Sequence, residues 1–213
     1  MNEIKKRYYE ILAKRLISNL KPHNIEGYYF ENGNEAREFI ISQIPRQSVV
    51  GIGGSTTVKE IGLLDALRQG YPNFYDQYEE GISLEESLKL RKASLMADYY
   101  VTGTNAITVD GAIVNIDGYG NRVAAMIFGP KKVFIVMGVN KICFTLQQAL
   151  ERAKNVAAVI NNLRLKTSNP CVKIAECTDC DDVESICNVT TIINRQPSKG
   201  RMKVVLINEY LGF

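Results

Sequence analysis

The sequence has a single histidine, no long apolar run, no basic stripe and no low-complexity tract, and each absence narrows the field. His23 follows Pro22 directly and stands apart from every glycine-rich loop, so Ser-His-Asp and Cys-His nucleophilic schemes are disfavoured and His23 reads as a solvated connector. Apolar stretches such as Val133 to Val139 are too short to span a bilayer. The charged start, Met1-Asn2-Glu3-Ile4-Lys5-Lys6-Arg7, leads into a mixed helical pattern rather than a signal-peptide core. No membrane partner and a cytoplasmic location are therefore expected. Lysines and arginines are scattered among acids at a net charge of +3, which gives nucleic acid nothing to recognise.

What is present is ordinary for a globular chain: 213 residues, 46% apolar and 23% charged, enough for one compact domain over 1–213. Ile4, Tyr8, Ile11, Leu12 and Leu16 recur at helical spacing up to Pro22. A strand is expected at Ile25 to Phe30, then a helix capped by Asn34 running to Ile44. Ser48 to Ile52 reads as a buried strand, and Thr57 with Glu60 as a capping box for a helix reaching Gly70. Ser83 with Glu86 repeats that signal for a helix ending near Ala97, and Tyr99 to Thr102 is a further strand. Asp110-Gly111 between Ile107–Val109 and Ala112–Val114 suggests a tight hairpin. A helix at Asn121 to Phe128, a strand at Lys132 to Met137, a long helix at Leu146 to Leu163 and a strand at Met202 to Ile207 complete the pattern. The fold class is α/β: a mostly parallel sheet with helices on both faces and one β-hairpin.

Gly51-Ile52-Gly53-Gly54-Ser55-Thr56-Thr57 lies between a strand and a helix, where backbone amides and hydroxyls can cradle a small anion. It is neither a dinucleotide fingerprint, since Thr56 stands where the third glycine would, nor a P-loop. The same glycines would equally serve a tight turn that only lets helix pack on strand. Gly103-Thr104-Asn105 follows a strand, and Asn115 to Arg122 leads from the hairpin into a helix; such loops at strand ends are where α/β sheets place ligands.

These blocks, followed by Val136-Met-Gly-Val-Asn-Lys-Ile142 and Asn208-Glu-Tyr-Leu-Gly212, resemble the lactate-utilisation (LUD) domain family over nearly the whole chain. The resemblance implies the fold shared by ribose-5-phosphate isomerase, glucosamine-6-phosphate deaminase and coenzyme A transferases, with the glycine loop and hairpin region lining one pocket. It also implies a role in oxidising lactate or a related hydroxy acid, beside partner subunits that carry iron-sulfur clusters. The expected ligand-binding residues are Gly53, Gly54, Ser55, Thr56, Thr57, Gly103, Thr104, Asn105, Asp110, Asn115, Asp117, Gly118, Asn140 and Lys141, with a carboxylate or phosphate as ligand. Acid-base chemistry would fall to Asp110, Asp117, Glu60, Glu209 or Lys141, and no catalytic residue stands out.

Cys171-x5-Cys177-x2-Cys180-x6-Cys187 offers four thiolates suited to an iron-sulfur cluster or zinc. Only one short Cys-x2-Cys hook is present, so zinc and cluster both stay open, while Cys143 reads as a small buried apolar residue. Two other functions therefore compete with ligand binding: a metal-cluster electron-transfer or assembly module, and a sugar-phosphate isomerase or coenzyme A transferase-like enzyme.

Overall fold

The computed structural model describes residues 1–213. Helix α1 (Glu3–Leu20) is capped by Asn2, whose side chain accepts from the Lys5 amide at 2.9 Å. Its buried stripe is Leu12, Ala13, Leu16 and Leu20, whereas Ile4, Tyr8 and Ile11 face outward. Strand β1 (Ile25–Phe30) precedes α2 (Gly33–Gln43). Asn32, not Asn34, caps α2, because the extended backbone at Asn32 aims its side chain at the Glu35 amide, 3.0 Å away.

Strand β2 (Val50–Ile52) leads into two short helices, α3 (Thr56–Glu60) and α4 (Leu63–Gly70), where the sequence suggests one. Gly62 at φ +69° breaks the run, a left-handed turn that glycine takes without a Cβ clash. The Thr57–Glu60 capping box does not form. Ser55 caps α3 instead, accepting from the Val58 amide at 3.2 Å, while Thr57 is buried.

Strand β3 (Phe74–Tyr75) is followed by α5 (Leu84–Ala93), whose Ser83–Glu86 capping box is complete. Next come β4 (Tyr99–Thr102), β5 (Ala106–Thr108), β6 (Ile113–Asp117), α6 (Asn121–Ile127), β7 (Lys132–Gly138) and β8 (Ile142–Cys143). The expected long helix runs on to Leu165 and changes pitch on the way: α7 (Leu146–Arg152) and α8 (Val159–Leu165) are joined by a π-helical stretch at Ala153–Ala158. Helix α9 (Cys171–Ile174), β9 (Val189–Ile193) and β10 (Met202–Ile207) close the chain.

Six parallel strands form one sheet in the order β1-β10-β7-β4-β2-β3. The run in β7 alternates between two apolar layers: Val133, Ile135 and Met137 pack with Leu16 and Met126 on one face, Phe134 and Val136 with Ile40, Val58 and Leu67 on the other. Helices on both faces are thus required by the sequence of one strand.

A second, mixed sheet reads β8-β5-β6-β9 and packs a small core of Ala106, Val114, Ile116, Ala149 and Ala153. Its hairpin pairs Ala106 with Val114 and Ile107 with Ile113, and with the strands ending at Thr108 and starting at Ile113 the loop is four residues, Val109 to Ala112, rather than the two expected. The Thr108 amide donates to the Ala112 carbonyl at 2.9 Å and the Thr108 hydroxyl accepts from the Ala112 amide at 2.9 Å, which closes the ladder at the turn. Strands β3, β8 and β9 are not among the elements expected from the sequence.

Candidate functional site

The chain steps outward from β2 to β3 but in the opposite direction from β4 to β7 and β10, so the connections leaving β2 and β4 diverge. Such a topological switch point, at the carboxyl ends of the strands, is the ligand crevice of open α/β sheets. The connections flanking it are Gly53–Ser55 and Gly103–Asn105. They touch: a Cβ on Gly103 would stand 2.5 Å from the Ser55 hydroxyl, and one on Gly53 2.9 Å from the Tyr100 hydroxyl. Glycine is needed at both positions for this approach.

Much of the polar equipment expected to meet a ligand instead fastens the second sheet to the first. The Asn105 amide donates to Asn115 Oδ1 at 3.2 Å, and the Ile116 amide donates to Asn105 Oδ1 at 2.7 Å. The Thr104 hydroxyl lies within hydrogen-bond distance of the Ala106 and Val114 carbonyls. Arg122, in the sequence only the end of the loop from Asn115 and here buried, donates to Asn115 Oδ1 at 2.6 Å, the Ile116 carbonyl at 2.8 Å and the Gly103 carbonyl at 3.3 Å. Asp117 accepts from the Val123 amide at 3.2 Å and sits 3.8 Å from Arg122 Nε. Arg152, at the end of α7, donates to the Asn140 and Asn105 carbonyls.

On one side of the glycine loop the crevice is closed. Lys141 is 3% exposed; its Nζ donates to Thr57 Oγ1 at 3.2 Å and to the Thr104 carbonyl at 3.1 Å, and no carboxylate pairs with it. Burial, with Arg152 and Arg122 nearby, lowers its pKa to about 7. The segment Leu211–Gly212 lies across this side. Asn140 clamps it by accepting from the Leu211 amide at 3.1 Å and donating to the Gly212 carbonyl at 3.3 Å, and Glu60 accepts from the Gly212 amide at 2.7 Å.

The other side is open. Gly54 is exposed, and Ser55 and Thr56 partly so. A Cβ on Gly54 would stand 2.8 Å from the Tyr78 hydroxyl. Sequence reasoning missed Tyr78, Arg91, Tyr100, Arg122 and Arg152, which come from separate elements and share no local spacing.

Three expected residues are placed elsewhere. Asp110 is exposed in the hairpin loop, whose Gly111 packs against His23 at the opposite end of the sheet. His23 itself is half-buried there with Nδ1 unpartnered, not a solvated connector. Gly118 lies beside Ile186 of the cysteine-bearing lobe, and its carbonyl accepts from Asn188 at 3.2 Å. Glu209 accepts from the Gly33 amide at 3.2 Å, away from the loop.

The lobe from Lys166 to Asn188 carries Cys171, Cys177, Cys180 and Cys187, all as free thiols. Burial raises the Cys171 and Cys187 pKa values, and the neighbouring thiols push them further up, so the four lie within one another's field. No three of the chain's His, Cys, Asp and Glu side chains are assembled into a metal-holding group. The π-helical stretch reaches the lobe through Asn155, which accepts from the Cys177 amide at 3.0 Å, and through a Lys154–Asp179 ion pair. Cys143 is buried, and that burial pushes its thiol up.

The arrangement defines an α/β protein with a crevice at the switch point of its parallel sheet and no helix long and apolar enough to cross a membrane. Residues 13–207 match the model of the LUD domain, and the chain belongs to that family. It is thereby a lactate-utilisation-like protein in the general sense. The fold is similar to the crystal structure of a DUF162 family protein from Deinococcus radiodurans, with 13% identity over 93% of this chain and 96% of that one and a TM-score of 0.53. No curated protein matches.

Proposed function

We propose that this chain binds a small anionic ligand, a carboxylate or a phosphate, in the switch-point crevice, and serves as a subunit in lactate or hydroxy-acid oxidation. Lys141 carries the reading: a buried ammonium without a carboxylate partner, held between Thr57 and Thr104 where the two glycine connections meet. A buried cation that no carboxylate pairs directly is costly, with only the field of Glu60 to oppose Arg152 and Arg122, and an arriving anion supplies a partner. Membership of the LUD family supports the metabolic setting. Because the Lys141 pKa is lowered to about 7, an anion that favours the charged form draws a proton onto Nζ as it binds. Entry on this side lifts Leu211–Gly212 from Lys141.

Calorimetry with lactate, pyruvate and inorganic phosphate above pH 7, in two buffers of different ionisation enthalpy, tests this. Binding is expected with proton uptake, and Lys141→Met should abolish the uptake and weaken binding roughly tenfold or more. Absence of binding by all three anions, or unchanged uptake in the variant, would overturn the reading.

A second reading, a metal on Cys171, Cys177, Cys180 and Cys187 for electron transfer or assembly with iron-sulfur oxidoreductase subunits, is favoured by the mutual field of the four thiols. Such a centre would supply either one-electron chemistry, as a cluster, or a structural staple, as zinc. Purification without oxygen followed by iron, sulfide and zinc analysis separates the two, and metal-free protein refutes both. The isomerase or coenzyme A transferase alternative has less support: Asp110 is remote, Asp117 is engaged with Val123 and Arg122, and Glu60 holds Gly212.

A further inference from the structure

We infer that the open side of the glycine loop is a second oxyanion subsite, in which Arg91, Tyr78 and Tyr100 hold a carboxylate or phosphate group over Gly53 and Gly54. The inference deepens the anionic-ligand reading and rests on it.

Tyr100 stands on β4 in the floor of the crevice, 1% exposed, and its hydroxyl makes no hydrogen bond within the protein. It lies 2.9 Å from the point where Gly53 would carry a Cβ. Tyr78 brings a second hydroxyl without a protein partner to 2.8 Å from the corresponding point of Gly54. At both glycines a phenol hydroxyl stands against the place a Cβ would take, so the two phenol groups come down onto the backbone of the loop.

Arg91, from the last turn of α5, adds the charge. Its Nε is buried without an acceptor, and its guanidinium sits 4.8 Å over the Tyr119 ring. No carboxylate pairs with Arg91. Asp117, the carboxylate whose field reaches both tyrosines, is already engaged by the Val123 amide and Arg122. Burial raises the Tyr100 pKa, so its hydroxyl stays protonated and able to donate.

A wall of an unpaired guanidinium and two phenol donors suits an oxyanion and little else. A neutral ligand would leave the guanidinium unpaired, and a cation would meet like charge. The contact with the Tyr119 ring places the guanidinium but leaves its Nε without a partner. The planar guanidinium fork fits carboxylate and phosphate alike, so the two are separated by experiment.

The full chain is titrated with inorganic phosphate and, separately, with pyruvate, following the 15N-labelled arginine Nε–H resonances and the heat of binding. At least one anion is expected to shift the Arg91 Nε–H resonance saturably. Arg91→Met should weaken that anion roughly ten- to hundredfold, and Tyr100→Phe, which keeps the ring and the packing, about three- to tenfold. Gly54→Ala, whose new methyl meets the Tyr78 hydroxyl, should also weaken binding with little effect on folding. In Lys141→Met the Arg91 resonance should still move. If binding survives within twofold in both Arg91→Met and Tyr100→Phe but is lost in Lys141→Met, the subsite is refuted and the Lys141 reading stands. If neither anion binds the parent chain, both fall together.

Discussion

The six-stranded sheet holds its strands between two apolar layers, with Ile135 and Met126 in one and Phe134 and Ile40 in the other, all sealed from solvent. The lobe from Lys166 to Asn188 buries only Asn169 and Cys171 and is fixed by polar contacts: Asn169 donates to Asn162 Oδ1 at 2.6 Å, and Glu184 accepts from the Ser168 amide at 2.7 Å. One region is stabilised by area removed from water, the other by a few directed bonds at its edge. The difference teaches where to look for change. Rigid geometry belongs to the crevice, and local opening belongs to the lobe.

Three measurements would break or sharpen this contrast. The largest effect concerns a buried charge of the rigid region that no carboxylate pairs. The Lys141 pKa falls from 10.5 when unfolded to about 7 when folded, so between those values the unfolded chain holds more protons and stability rises with pH. The destabilisation is complete below pH 7 and gone above 10.5. Relative to Lys141→Met, the parent should gain on the order of 5 kcal/mol across that window, read from urea unfolding at several pH values. A flat difference would mean that Lys141 is not buried as a charge.

Next in size, Phe134→Ala should cost about 3–5 kcal/mol by the same unfolding measurement, since it opens a cavity in a fully buried layer. A cost under about 1 kcal/mol would show the layer to be loosely packed. The smallest effect lies in the lobe. The Ser168 amide and hydroxyl hold the Glu184 carboxyl below the usual range, so this latch is present at neutral pH and lost as pH falls through the lowered folded value. Glu184→Gln should speed hydrogen exchange at the Ser168 amide and leave the global melting temperature unchanged. A drop in global melting temperature would make the lobe part of the cooperative core.

The same contrast governs what could be read from the residues. Strand β7 was legible because a continuous apolar run between charges has one use in an α/β protein. Gly53 and Gly103 were legible because glycine at a strand end has few reasons to be there, and Lys141 because it follows a strand on the crevice side. Asp110 was misplaced for a geometric reason: five residues of extended chain cover about 17 Å, so one end of the hairpin meets the crevice while its turn lies at the far end of the sheet. The spacing of Thr57 to Glu60 fits a cap, yet Ser55 takes the part and frees Thr57 for Lys141. Strand β9 carried a signal that went unread, five β-branched residues from Val189 to Ile193. Tyr78, Arg91 and Tyr100 carried none, since three separate elements meet only when the sheet has formed.

The wide turn at Ala153–Ala158 sets the phase between the two ends of its helix. Upstream, Arg152 is aimed at the Asn140 and Asn105 carbonyls; downstream, Asn162 is aimed at Asn169. A π turn accommodates one more residue than an α turn, so excising a single residue there would rotate one end against the other by about 100°. The extra residue acts as an angular spacer, letting one continuous rod address the crevice at one end and the cysteine lobe at the other.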